Sequence, residues 1–165
     1  MYWTIGIDPG ITGAVALIKH GDHLSVIETI LDMPTMTEGK KQIINPNELI
    51  SIFKNIRAEK NISKVYLEKV NAMPGQGVVS MFGFGRSYGI IESAVISQGF
   101  SLTYILPQQW KKNAGLLHKD KNEARTMAIR LFPNQAELFK RKSDIGRADA
   151  LLIGLFGEKE EVPIR

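Results

Sequence analysis

Short apolar runs alternate with turn residues along the first third of the chain. These runs are residues 2–8, 12–19 and 23–31. Gly10 separates the first two, and Gly21 with Asp22 separates the last two. Apolar runs bounded by such turn formers are typical of β-strands joined by tight connections. The pattern therefore predicts an antiparallel meander of three strands.

A polar stretch and then a helix follow the meander. Residues 33–45 have few apolar positions and are predicted to form a loop. Asn45 suits a helix cap and Pro46 suits the first helical turn. The predicted buried face of this helix comprises Leu49, Ile50, Phe53 and Ile56. The helix leads into a fourth apolar strand that ends at Glu68.

The middle of the chain combines a turn-rich loop with a helix that contains glycines. Residues 71–77 form the loop, and residues 78–98 form a long helical segment with Gly83, Gly85 and Gly89. Each glycine weakens an isolated helix by about 1 kcal/mol relative to alanine. A compensating contact with a neighbouring strand or with a symmetry-related helix accounts for them, and an irregular helix within the chain is the alternative.

The last third contains a fifth strand, a basic helical region and a final helix. Residues 101–106 form the strand, and Pro107 begins the basic region. The order β-β-β-α-β-α-β-α predicts an α/β fold with a mixed five-stranded sheet, three strands antiparallel and the others parallel, and helices on both faces. At 165 residues, the chain is expected to form a single domain, residues 1–165.

Three acidic residues occupy positions that otherwise look buried. Asp8 ends the run TIGID, Glu68 ends the run KVYLE, and Asp149 shares a helical face with apolar residues of the run IGRADALLI. Burying an unpaired carboxylate costs several kcal/mol, which is about the free energy lost when a buried ion pair is broken. A divalent metal site is the economical explanation for three of them.

Composition narrows the chemistry of such a site. The chain has no cysteine, so thiolate zinc sites, disulfides and a cysteine nucleophile are excluded, and metal ligands must be oxygen or histidine. His20, His23 and His118 match no ligand spacing and are predicted at the surface. With no apolar stretch near the roughly 20 residues of a membrane span and no basic leader, we expect a soluble, unexported, cytoplasmic protein without membrane contact.

Positive charge is concentrated in residues 111–142. The net charge of the whole chain is +4. The basic residues of this segment are Lys111, Lys112, Lys119, Lys121, Arg125, Arg130, Lys140, Arg141 and Lys142. Taken alone, the segment is equally consistent with a solvated helical face. Next to an acidic metal site, a phosphate-binding surface for nucleic acid is the better interpretation.

Three motifs resemble those of a known family. The run IDPGITGA at 7–14 resembles the opening motif of the RuvC Holliday-junction resolvases, within the ribonuclease H-like superfamily. The run YLEKV at 66–70 resembles their second acidic motif, and RADALLI at 147–153 resembles their C-terminal motif. The runs MPGQG at 73–77 and PQQWKK at 107–112 look most like short RuvC-like proteins of phages and prophages.

The resemblance implies roles for the acidic residues. Asp8, Glu68 and Asp149 correspond to metal-binding catalytic carboxylates. In better-known members an Asp or His precedes the final aspartate by three residues, where this chain has Gly146. The nearest acid, Asp144, is then either a fourth catalytic metal ligand or a helix cap.

The resemblance also implies residues that contact DNA. Lys111 corresponds to a family lysine, and Lys121 falls near a second one; either contacts the scissile or a flanking phosphate. Lys111 is accordingly counted with the catalytic residues. The implied DNA-binding residues are Lys111, Lys112, Lys119, Lys121, Arg125, Asn71, Met73 and Gln76.

An activity follows from the same resemblance. It predicts a crossover junction endodeoxyribonuclease with two Mg²⁺ ions per site, replaceable by Mn²⁺, that leaves 5′-phosphate and 3′-hydroxyl ends. A homodimer suits the two-fold character of a four-way junction. A bacterial or phage-infected cell is the expected setting.

Other activities remain open. One is a ribonuclease H-like nuclease that acts on RNA or RNA–DNA hybrid. Another is a non-catalytic protein that binds DNA junctions. The Asp-x-Gly opening is also similar to the phosphate loop of actin-like ATPases, but those proteins need two such lobes and this chain has residues for one.

Overall fold

A three-stranded meander begins the fold, as the apolar runs predict. In a computed structural model, which describes residues 1–22, 24–72 and 75–157, the strands are β1 (Tyr2–Asp8), β2 (Ala14–His20) and β3 (Ser25–Asp32). Both pairs, β1 with β2 and β2 with β3, are antiparallel. The turn between β1 and β2 places Gly10 at φ +116°, a conformation that favours glycine.

The prediction of a loop at residues 33–45 is wrong. The segment contains a hairpin of β4 (Thr35–Glu38) and β5 (Lys41–Ile44), which pair antiparallel outside the main sheet. Most of its side chains are exposed, so the apolar periodicity that identifies a buried strand is missing. The hairpin is held instead by the buried Ile44 and by the Glu38–Arg86 ion pair.

Helix α1 (Pro46–Glu59) begins where the cap residue predicts. The Asn45 side chain accepts a hydrogen bond from the backbone N–H of Glu48 at 3.3 Å. Three of the four predicted face residues are buried, namely Leu49, Phe53 and Ile56. Ile50 is 38% exposed, so its predicted burial is wrong. The next strand, β6 (Ile62–Glu68), pairs parallel with β1.

The second half completes the sheet and covers its other face. The long helix is α2 (Val78–Ser97), and β7 (Leu102–Ile105) pairs parallel with β6. Three helices follow: α3 (Pro107–Asn113), α4 (Asn122–Leu131) and α5 (Ile145–Phe156). Two 3-10 segments, Pro133–Phe139 and Lys142–Asp144, lie between α4 and α5. The five-stranded sheet has the order β3-β2-β1-β6-β7.

Each face of the sheet carries its own buried cluster. On one face, Ile5, Val15 and Leu17 pack with residues of α1 and α2. On the other, Ala16 and Ile18 pack with residues of α3, α4 and α5. Neighbouring residues of β2 enter different clusters, as the alternation of side chains along a strand requires, and the prediction of helices on both faces of the sheet is confirmed.

The prediction of His20 at the surface is wrong. His20 is 9% exposed, stacks on Tyr2 with ring centroids 4.5 Å apart and makes ring-nitrogen hydrogen bonds to Thr4 and Ser25. His23 lies outside the described residues, and His118 is exposed. Of the described helices, none combines the length and apolar character needed to cross a membrane.

Helix α5 approaches β1 at backbone distance. A Cβ at Gly6 would lie 2.1 Å from the carbonyl oxygen of Ala150 and 2.4 Å from the nitrogen of Gly154. A Cβ at Gly154 would lie 3.0 Å from the nitrogen of Gly6. A side chain at either position would therefore push the helix off the sheet. The Thr4 hydroxyl donates to the Gly154 carbonyl at 3.1 Å and fastens the same contact.

We expect Gly6→Ala to lower the free energy of unfolding by about 3 kcal/mol or more, since the added methyl meets backbone atoms that have no alternative rotamer. Chemical denaturation with urea measures this loss. Gly77→Ala is the matched control, because Gly77 has φ −62° and a Cβ there would meet nothing within 4 Å. Equal stability of the two variants would contradict the close approach.

Candidate metal centre

The acids Asp8 and Glu68 come together because they end adjacent parallel strands. Ile7 of β1 pairs with Leu67 of β6, and one acid follows each of them. Since parallel strands end at the same edge of a sheet, the two carboxylates lie side by side at this edge. Both side chains are half-buried.

Helix α5 brings the third acid, Asp149, to the same place. Its first turn lies against the loop after β1: a Cβ at Gly146 would be 2.4 Å from the Thr12 carbonyl oxygen and 3.2 Å from the Asp8 Oδ2 atom. Asp149 lies one helical turn further along and is also half-buried. The same packing leaves no room for a side chain at position 146, where the resemblance places a fourth ligand.

The three carboxylates repel one another in a poorly hydrated setting. Burial first, and then the charges of Asp149 and Glu68, raise the pKa of Asp8 well above its usual value. Burial and the charge of Glu68 raise the pKa of Asp149 to about 7. Burial also raises the pKa of Glu68. Clustered carboxyl groups with raised pKa values are typical of functional sites.

Two lysines and an indole partly offset this repulsion. The positive charge of Lys111 lowers the pKa of all three carboxyls, and that of Lys121 lowers the pKa of Asp149. Trp110 is completely buried, and its Nε1–H donates to the Glu68 Oε2 atom at 2.6 Å. The two lysines that the resemblance places near phosphate are thus the two that the structure brings to the acids.

The donor set fits a hard divalent cation. Carboxylate oxygens are the protein ligands that Mg²⁺ prefers, and Mg²⁺ keeps several waters and uses only one or two carboxylates. Among the described residues, no group of three or more His, Asp or Glu side chains is arranged to hold a metal ion on its own. An open site completed by water and substrate agrees with both observations. Asp8, Glu68 and Asp149 are the residues that would hold the metal.

Asp144 is turned toward arginines. It is 2% exposed, and its Oδ1 atom accepts hydrogen bonds from the Arg141 Nε and Nη2 atoms at 3.1 and 2.9 Å. Its Oδ2 atom accepts from the Arg141 backbone N–H at 2.8 Å. Burial opposes ionisation of Asp144, but the hydrogen bonds from Arg141 outweigh it and lower the pKa. The side chain makes no capping bond to α5, so of the two alternatives for Asp144 the helix cap is wrong.

The other residues predicted to bind DNA fall into two groups. Lys112, Lys119, Asn71 and Gln76 are exposed, whereas Met73 lies outside the described residues. The Arg125 guanidinium donates to the Phe139 carbonyl at 2.9 Å and to the Lys140 carbonyl, and thereby joins α4 to the segment before α5. The exposed residues remain a predicted DNA-binding surface. The guanidinium of Arg125 instead bonds to two backbone carbonyls of its own chain.

Sequence reasoning missed two residues that organise the site. Trp110 was visible only as an apolar position beside Lys111, because its partner Glu68 is 42 residues away in the chain. Arg147 donates from Nε and Nη2 to the two Asp32 oxygens at 2.6 and 2.7 Å, which ties the first turn of α5 to the end of β3. The RADALLI motif contains this arginine, so the residue could be singled out from the sequence. Its partner Asp32 could not, because it lies 115 residues away in the chain.

Comparison with known proteins identifies the fold. No protein-family model matches the chain. The structure of Thermus thermophilus RuvC in complex with a Holliday junction substrate matches with a TM-score of 0.70 and 20% identity, covering 94% of this chain and 92% of that one. The chain has the RuvC fold. The fowlpox virus Holliday junction resolvase matches with a TM-score of 0.56 and 15% identity, covering 93% and 94% of the two chains.

A curated relative shares part of the sequence. The chloroplastic Holliday junction resolvase MOC1 of Chlamydomonas reinhardtii is 33% identical over 89 residues, which are 53% of this chain and 10% of that protein. The chain therefore matches about a tenth of the length of this relative. The RuvC fold confirms the predicted ribonuclease H-like mixed sheet, and the activity rests on the site itself.

We expect the stability of the metal-free protein to fall as pH rises from about 4 to about 7. The folded-state pKa of Asp149, about 7, lies above its ordinary value of 3.8, so the folded state binds more protons than the unfolded state in this window. A difference of one between the folded-state and unfolded-state pKa corresponds to about 1.4 kcal/mol. Asp149→Asn should remove this part of the slope and stabilise the apo protein at pH 8.

Urea unfolding at pH 4 and pH 8 in EDTA measures the effect. Asp22→Asn is the control, since Asp22 is an exposed aspartate at a turn. A wild-type slope retained in Asp149→Asn would contradict the assignment of a raised pKa to this carboxyl.

Proposed function

We propose that the chain is a metal-dependent endonuclease that cuts branched DNA, with the four-way junction as its main substrate. Mg²⁺ is the proposed metal, with two ions per site and Mn²⁺ as a substitute. The products are 5′-phosphate and 3′-hydroxyl ends. The proposal rests on one observation above all: three carboxylates, each with a pKa raised first by burial, meet at one edge of a RuvC-fold sheet, beside Lys111 and Lys121.

The residues have distinct tasks in this reaction. When bound, divalent metal supplies charge stabilisation at the phosphoryl oxygens and a lowered pKa for the attacking water. Asp8, Glu68 and Asp149 would hold the metal through their negative charge. Without the metal, the same negative charge would repel the DNA phosphate. Lys111 and Lys121 bring positive charge to the same edge, where they contact the scissile or a flanking phosphate as point charges. The exposed Lys112 and Lys119 extend this surface along the DNA backbone.

The relatives support the choice of substrate. The similar proteins that carry the RuvC fold include resolvases whose structures are described with Holliday junction substrate, and the curated relative is a Holliday junction resolvase. A nuclease for RNA or RNA–DNA hybrid would use the same carboxylates, so substrate preference separates the two. A junction-binding protein without catalysis is a second candidate, favoured by the absence of room at Gly146 and by the engagement of Asp144 with Arg141.

A homodimer is the proposed assembly. One stripe of α2, here called the α2 stripe, consists of Val78, Val79, Phe82, Gly85, Gly89, Ser93 and Ile96. Phe82 is 77% exposed and Val78 is 85% exposed, which is unusual for apolar residues grouped on one helix. A Cβ at Gly83, Gly85 or Gly89 would meet nothing within 4 Å, so no described strand explains these glycines. Gly85 and Gly89 lie on the α2 stripe, and Gly83 lies beside it. A second copy of α2 would cover them.

We expect Asp8→Asn, Glu68→Gln and Asp149→Asn each to abolish cleavage while junction binding persists or tightens, since each removes one negative charge near DNA and keeps the shape of the side chain. The test incubates the purified protein with labelled four-way, Y-shaped, linear duplex and RNA–DNA hybrid substrates in Mg²⁺ or EDTA. Equal cutting of linear duplex and junction would reject junction selectivity, and preferred cutting of hybrid would favour the ribonuclease alternative. Absence of metal-dependent cutting would favour the binding-only candidate.

Asp144→Asn distinguishes a structural acid from a metal ligand. Because the variant loses charge pairing with Arg141, we expect the free energy of unfolding to fall by about 1–3 kcal/mol, with most of the nuclease activity retained. Both quantities are measured at a temperature at which the variant stays folded. Activity as low as that of Asp8→Asn would instead make Asp144 a metal ligand.

We expect junction affinity to fall steeply with salt and Lys111→Ala or Lys121→Ala to reduce the log–log slope by about one unit each, because each lysine displaces about one counterion from phosphate. Fluorescence anisotropy with labelled junction in EDTA, between about 50 and 200 mM salt, measures the slope. Lys54→Ala on α1, on the opposite face of the sheet, is the control. A slope unchanged in both test variants would make the basic segment a solvated face.

Gly85→Leu tests the α2 stripe. The substitution meets no atom within the described chain and improves helix propensity by up to about 1 kcal/mol, so the monomer should not be destabilised. We expect the dimer to dissociate in sedimentation velocity at micromolar concentration. Lys54→Leu adds the same side chain to the exposed face of α1 and should leave the dimer intact. A monomeric wild type that still resolves junctions would refute the dimer.

A further inference from the structure

The buried indole of Trp110 contacts the acid cluster directly. Trp110 has no exposed surface and packs in the same cluster as Ile105 and Leu152. Its ring is therefore fixed by the core, and its single polar atom is the donor that bonds to the Glu68 Oε2 atom at 2.6 Å. Helix α3 begins at Pro107 directly after β7, and this short connection sets Trp110 beneath the edge of the sheet that carries the acids.

We propose that Trp110 is a positioning residue whose hydrogen bond to Oε2 fixes the Glu68 carboxylate, so that Glu68 binds a divalent ion chiefly through Oε1. This inference rests on the proposed metal-binding role of Glu68. An indole N–H is a donor only, and the ring of Trp110 is completely buried. The bond takes one of the two lone pairs of Oε2 and weakens this oxygen as a metal ligand, so Glu68 is expected to bind a metal chiefly through Oε1.

A one-oxygen carboxylate favours Mg²⁺ over Ca²⁺. Mg²⁺ is small and demands near-octahedral coordination, whereas Ca²⁺ takes six to eight oxygens and readily accepts both oxygens of one carboxylate. Weakening Oε2 as a ligand costs Ca²⁺, which would use both oxygens, more than it costs Mg²⁺. Trp110 is therefore a determinant of metal selectivity as well as a support for Glu68.

The indole has a second contact that a variant can preserve. The Lys111 Nζ atom lies 5.3 Å from the centre of the Trp110 ring, on its face. Phenylalanine retains an aromatic face for this lysine but has no N–H to donate. Trp110→Phe therefore removes the bond to Glu68 while keeping a surface beneath Lys111.

The experiment compares Trp110→Phe with Trp3→Phe, which removes the other tryptophan of the chain away from the acids. Isothermal titration calorimetry of the full chain with MgCl₂ and, separately, CaCl₂ gives both affinities without DNA. We expect Mg²⁺ affinity to fall about tenfold in Trp110→Phe, Ca²⁺ affinity to fall less or to rise, and Trp3→Phe to match the wild type. Unchanged affinities, or an equal fall for both metals, would overturn the proposal.

Two further variants keep the test decisive. Trp110 replaced by 3-benzothienylalanine keeps the shape of the indole and substitutes sulfur for N–H, so it removes the donor without a cavity if Trp110→Phe folds poorly. Glu68→Gln separates this proposal from the proposed function: Mg²⁺ affinity unchanged in Glu68→Gln would refute the metal role of Glu68 itself. Loss in Glu68→Gln with no change of selectivity in the benzothienyl variant would refute only the role of Trp110.

Discussion

The contact of helix α5 with strand β1 is the constraint on which the candidate site depends. Gly6 and Gly154 let the two backbones meet at a distance that no side chain permits. The contact carries Asp149 to the edge of the sheet where Asp8 and Glu68 already lie. Arg147 then fixes the rotation of the helix by pairing with Asp32 at the end of β3. Moving the helix outward by the width of a methyl group would separate the acids.

This arrangement opposes the stability of the metal-free protein. Three carboxylates with raised pKa values share a poorly hydrated edge, where Lys111 and Lys121 lower those values only in part. The fold tolerates the repulsion because two large clusters cover both faces of the sheet. Strain concentrated at a site and supported from elsewhere is common where a ligand later relieves it.

Much of this architecture was predictable, because local patterns determine it. The apolar runs of β1, β2 and β3, the cap at Asn45 and the acids at the strand ends are all features of neighbouring residues. The errors come from contacts between distant segments. The hairpin of β4 and β5 lacks a buried face, and His20 is buried by partners from two strands. The bond from Trp110 to Glu68 was missed for the same reason, since no residue near either of them in the sequence indicates the other.

The same constraint also explains why the fourth acid of the family pattern is absent. At position 146 the first turn of α5 lies so close to Thr12 and Asp8 that only glycine fits. An acid there would require α5 to move away from β1, and the approach that gathers Asp149 would be lost. The nearest acid, Asp144, is placed before the helix and is held by Arg141. Close packing of this helix and a ligand at position 146 are therefore mutually exclusive in this chain.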